Sequence, residues 1–168
     1  MKKLFSALLI ISICLLSACS DSQSFKEGTS CEEIMNAVVE VTEHPQSDKV
    51  YLKAEDNLDT YSLSLWADGL YQECEEFELL FDYAIFVSAG TTTYEVAVLK
   101  ADKKENVEKV KDLVNRRKET LSLGDKGMYD PDFQSRMSNS QLKAVGEYVI
   151  FIVTDDNDAA LDAIEQFK

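Results

Sequence analysis

Leu79-Leu-Phe-Asp-Tyr-Ala-Ile-Phe-Val-Ser-Ala-Gly-Thr-Thr-Thr-Tyr-Glu-Val-Ala-Val-Leu-Lys-Ala101 holds two extended runs around one turn, and its reading decides the fold. Side chains alternate across a strand. Phe81, Tyr83, Ile85 and Val87 therefore share one side, and Asp82, Ala84, Phe86 and Ser88 the other, as in a mostly buried strand. Ala89-Gly90-Thr91-Thr92 supplies the turn. Tyr94, Val96 and Val98 then oppose Glu95, Ala97 and Leu99, which makes the pair an antiparallel hairpin.

Downstream, Asp102 and Glu105 have helix-capping spacing. Val107, Val110, Val114 and Leu121 form an apolar stripe, Arg116-Arg117-Lys118 suit the negative C-terminal end of a helix, and Gly124 stops it. Residues 124–140 are rich in turn formers, with a short helix expected after Pro131. Tyr148-Val-Ile-Phe-Ile-Val153 is apolar without a break, which demands burial on both faces of a sheet. Asp155, Asp156 and Asp158 open a last helix with Leu161, Ile164 and Phe167 turned inward.

Upstream, Ser30 and Glu33 form a capping box for a helix over 31–42, with Ile34, Ala37, Val38 and Val41 on one face and His44-Pro45 beyond its end. Residues 49–53 suggest a short strand, and Asp59 to Tyr71 an amphipathic helix. The fold class expected is α+β: a small antiparallel sheet of three to four strands with helices on one face. A crossover returns the chain parallel to the strand it left. That places the third strand, 148–153, antiparallel beside the first, in the order second, first, third. Residues 49–53 are then the candidate to cover the third strand's outer edge.

The chain opens with Met1-Lys2-Lys3, an apolar run from Leu4 to Leu16, and Leu16-Ser17-Ala18-Cys19. A run of about 13 residues is too short to span a bilayer and reads as a targeting peptide. Leu-Ser-Ala-Cys resembles the lipobox of bacterial lipoproteins, which implies cleavage before Cys19, acylation of its sulfur and attachment to the extracytoplasmic face of the cell membrane. The expected organisation is a signal peptide over 1–18, a lipidated flexible tether over 19–29 and one domain over 30–168.

Loss of residues 1–18 leaves 15 basic against 31 acidic side chains. A surface this acidic repels phosphates, which argues against nucleic acid and makes anionic headgroups poor electrostatic partners. Cys31 and Cys74 are the cysteines left after processing and lipidation; outside the cytoplasm they stand as a disulfide candidate or as two buried thiols.

Catalytic signatures are sparse. His44 is the one histidine, next to a proline, and no nucleophile elbow accompanies it, so it reads as a solvated loop residue. Asp155 to Asp158 lacks the glycine and glutamate of a calcium loop and reads as a helix cap. Glu73, Glu75, Glu76 and Glu78 read as a solvated acidic turn, with carboxylate-based glycan chemistry as the alternative. No catalytic residue, metal ligand or cofactor is assigned. Trp66, Tyr71 and Tyr129 are candidates for an exposed contact patch.

The lipobox, the first helix, Tyr94 to Ala101 leading into a charged helix, the Tyr129 and Pro131 stretch and Gly146 to Val153 together resemble the small lipoproteins grouped as domain of unknown function 4358. That resemblance implies a Firmicutes-type Gram-positive envelope and carries no catalytic residue or ligand. The function expected is non-enzymatic: a membrane-anchored module binding an envelope protein or glycan, with a glycan-acting enzyme or a small-ligand receptor as alternatives.

Overall fold

The computed structural model describes residues 24–45 and 48–168, so the expected signal peptide over 1–18, Cys19 and residues 20–23 of the expected tether lie outside the described residues. Five helices are described: α1 (Cys31–Val41), α2 (Thr60–Asp68), α3 (Val107–Leu123), α4 (Phe133–Asn139) and α5 (Asn157–Glu165). Five strands, β1 (Asp48–Leu52), β2 (Leu80–Ser88), β3 (Glu95–Ala101), β4 (Gln141–Val145) and β5 (Tyr148–Val153), form one open antiparallel sheet in the order β1-β2-β3-β5-β4.

The hairpin forms as its alternation requires, with Ile85 opposite Ala97 and Phe86 opposite Val96. One side chain departs from the pattern. A register shift between Leu80 and Asp82 turns Phe81 outward, 64% exposed, while Leu80 is buried in its place.

The strand order corrects the expected topology. β5 lies beside β3, not β2, and β1 occupies the free edge of β2. The crossover rule itself holds: β3 and β4 both run antiparallel to β5, so α3 returns the chain to a strand parallel to β3. That strand is β4, which Gly146, at φ +60, and Glu147 then fold back into β5. β4 (Gln-Leu-Lys-Ala-Val) buries only Val145 and exposes Lys143, as befits an edge.

Helices cover both faces, correcting the one-face expectation. α1 and α5 pack on Ala84, Phe86, Val96, Val98, Ile150 and Ile152. α2, α3 and α4 pack on Tyr83, Ile85, Ala97, Leu99, Val149 and Phe151. The unbroken apolar run of β5 is thus buried by helices above and below, not by residues 49–53.

Local signals explain the helix starts. Ser30 and Glu33 form the capping box, at 3.1 Å and 2.8 Å, and Asp59 and Asp156 cap α2 and α5. Asp102 does not cap α3. Its carboxylate accepts instead from the Asn106 amide at 2.6 Å across a 3₁₀ turn.

Residues 24–29 correct the flexible tether for the part that is described. Phe25 is buried against Tyr148, ring centres 5.0 Å apart. The Lys26 amide donates to the Phe167 carbonyl at 2.8 Å, and the Tyr148 hydroxyl to the Thr29 carbonyl at 2.6 Å. An aromatic side chain in a polar stretch is enough to dock it.

Candidate functional site: an acidic groove beside α3

Gly69 ends α2 in the left-handed region, φ +70, and its amide donates to the Leu65 carbonyl. A β-carbon there would lie 3.5 Å from the Thr120 methyl, so the cap brings the segment after α2 close against the last turns of α3. The result is a concavity of about 670 Å³ whose walls include Asp68, Leu70, Glu73, Glu76, Arg116 and Leu123.

Arg116 crosses its wall, donating to Asp68 at 2.8 Å and Glu76 at 3.0 Å. Burial penalises both charges, yet the contact outweighs it: the Glu76 carboxyl is held below its ordinary pKa and the guanidinium above its own. The Cys74 thiol donates to Glu76 at 3.2 Å, and burial, then that carboxylate, push its pKa up to about 12. Glu73 accepts from the Tyr61 hydroxyl, at 3.3 Å, while Glu75 and Glu119 extend the acidic lining.

Exposed apolar side chains stand in and next to this lining. Leu123 is 87% exposed, Tyr71 is 74% exposed and stacked on Tyr61 at 4.9 Å, and Leu65 and Leu70 are exposed as well. The arrangement offers apolar contact with acceptors around it. Among the described residues no group of three or more His, Cys, Asp or Glu is placed to hold a metal ion.

The other sequence candidates are dispersed. Trp66 is not exposed: at 5% it packs under α3, donating its indole N–H to Glu95 at 2.8 Å. Tyr129 is exposed in the segment before α4, away from the groove walls. His44 stays exposed, edge-on to Phe86 at 5.1 Å with Asp48 at 3.6 Å. Asp155 pairs with Arg136, and Asp156 caps α5. Cys31 and Cys74 are free and buried in different cores, on opposite faces of the sheet, so the sheet itself prevents the disulfide.

Leu70, Leu123 and Tyr61 were missed as site residues. The one usable signal was Leu123, an apolar residue off the stripe of its own helix.

Residues 78–154 match the family model described as Domain of unknown function (DUF4358). The DUF4358 span takes in β2 to β5 with α3 and α4, and leaves α1, β1, α2 and α5 outside. It includes the α3 wall of the groove and excludes the opposing wall from Asp68 to Glu76. No curated protein and no solved structure matches the chain.

Proposed function

We propose that this protein is a lipid-anchored module on the extracytoplasmic face of the cell membrane, held through Cys19, that binds another envelope component without catalysing a reaction. The observation that carries the binding half is the groove beside α3, where Leu70 and Leu123 are exposed among carboxylates, with exposed Tyr71 next to Leu70 in the chain. Apolar side chains gathered at one rimmed site are what a partner desolvates on docking.

Position supports the reading. β3 ends at Ala101, whose amide donates to Glu147 beside the docked residues 24–28. β3 begins at Glu95, which Arg117 of α3 grips. The last turns of α3 thus lie about 25 Å from the anchored end, the length of its 17 residues. A domain held at one end presents its groove at the other. A glycan partner has one observation in its favour, the stacked Tyr61 and Tyr71 with Glu73 beside them.

The test is photocrosslinking in intact cells from position 123, with position 162 of α5 as control, in native, Cys19→Ala and Leu70→Glu chains. The expected outcome is a discrete adduct from position 123 alone, lost in Leu70→Glu, while Cys19→Ala loses the acyl mass and membrane retention. Equal adducts from both positions, or none, would refute the groove; retention without Cys19 would refute the anchor.

A further inference from the structure

A second concavity, of about 330 Å³, lies at the end of the sheet where residues 24–28 dock. Its walls carry Lys26, Lys100 and Lys104 against Glu27 and Glu147, a cationic balance in a chain with 17 basic and 31 acidic residues. The Lys26 ammonium is occupied by the Gln166 carbonyl. Lys100 lies over the Tyr148 ring at 4.8 Å and the Phe81 ring at 5.1 Å. Among the described residues no carboxylate forms an ion pair with Lys100 or Lys104. Burial alone would lower the Lys100 pKa, but the Tyr148 hydroxyl and Glu147 outweigh it and hold the ammonium cationic.

Chain length fixes where this concavity works. Ser24 lines it, and Cys19 precedes Ser24 by five residues, which span at most about 18 Å when fully extended. Because Phe25 is buried and Lys26 is bonded to Phe167, the domain cannot swing away from that limit on a longer leash. Phe81, turned outward by the bulge, stands at the same end as an exposed aromatic.

We propose that this concavity is a binding site for the phosphate of an anionic lipid headgroup, which Lys100 and Lys104 engage and which sets the domain upright on the membrane. The proposal rests on the acylation of Cys19 put forward above. Whole-chain charge argues against anionic lipid; the local distribution reverses that at this one end.

The experiment uses the full acylated chain in vesicles of phosphatidylcholine alone or mixed equally with phosphatidylglycerol. Acetylation rates at individual lysines are read by mass spectrometry, with Lys111 and Lys143 as internal references. Phosphatidylglycerol is expected to slow Lys100 and Lys104 about fivefold and leave the references unchanged, the factor of roughly one lysine contact with an anionic surface. Lys104→Gln is expected to remove most of the protection at Lys100, and Lys104→Arg to keep it. Equal rates in both vesicles overturn the site while leaving the anchor intact. Equal protection by inorganic phosphate in phosphatidylcholine overturns the lipid as its source. A chain that is not acylated and does not float with either vesicle overturns the anchor and the site together.

Discussion

The two faces of the sheet are built differently. Under α1 and α5 the core is almost wholly apolar: Ile34, Val38, Val98, Ile150 and Ile152 meet with no ion pair among the buried side chains described. Under α2 and α3 lies Glu95, 1% exposed, gripped by Nε and Nη2 of Arg117 and by the Trp66 indole, while Nη1 donates to the Trp66 carbonyl and the guanidinium lies 5.6 Å from that ring. Further along the same end, Arg136 bonds both oxygens of buried Asp130 at 2.7 Å. The first face is a continuum in which any apolar residue of the right size contributes. The second depends on pairs that stabilise only while both members are present. The groove is on the second face, where polar contacts fix how α2 and α3 sit.

Arg117→Ala tests that difference most severely. Leaving Glu95 buried without its cation is expected to cost about 3–5 kcal/mol in urea unfolding. Replacing both partners, as Glu95→Leu with Arg117→Met, is expected to recover most of that loss; a double variant as unstable as the single one would break the distinction. Ile34→Ala on the other face is expected to cost about 3 kcal/mol, with no partner change that restores it.

Acid sharpens the contrast. Burial tends to raise the Asp130 pKa, but the amides of Thr93 and Asp132 and the Arg136 guanidinium outweigh it, so the carboxyl is held below its ordinary value. A depressed carboxyl stabilises the fold above its unfolded pKa, about 4, and that contribution is lost as pH falls through the lower folded value. Asp130→Asn is expected to flatten the unfolding profile below about pH 4, while Ile34→Ala shifts the curve without changing its slope.

Ser30→Ala, which opens the capping box of α1, is expected to cost about 1 kcal/mol by the same unfolding measurement. The smallest effect is expected from oxidant. Cys31 is pushed well above its ordinary pKa, by burial first and then Asp82, and Cys74 to about 12. Neither native thiol should alkylate appreciably at pH 8, both should after denaturation, and a Cys31–Cys74 disulfide should not form; a bridged peptide by mass spectrometry would contradict the two-faced core.

Sequence patterns exposed the first face better than the second. Alternation in Tyr83 to Val87 and Val96 to Leu99, and the capping box at Ser30, translate directly into hairpin and helix because each signal is local. β4 escaped because an edge strand needs little apolar surface, and its omission displaced β5 in the expected order. Trp66 misled: an indole in an irregular stretch reads as a contact residue, yet it is buried and donates to Glu95, a carboxylate whose burial the alternation of β3 did not reveal. The groove was invisible because its walls, Asp68 to Glu76 and Arg116 to Leu123, join through Gly69 only in three dimensions.

The bond from the Lys26 amide to the Phe167 carbonyl joins positions 141 residues apart in the chain. In fusion terms, a reporter attached after Lys168 starts beside residues 24–28, so its bulk gathers at that end of the sheet while the groove beside α3 stays clear. In folding terms, that clasp cannot close until Phe167 is available, making it among the last contacts of the fold to form.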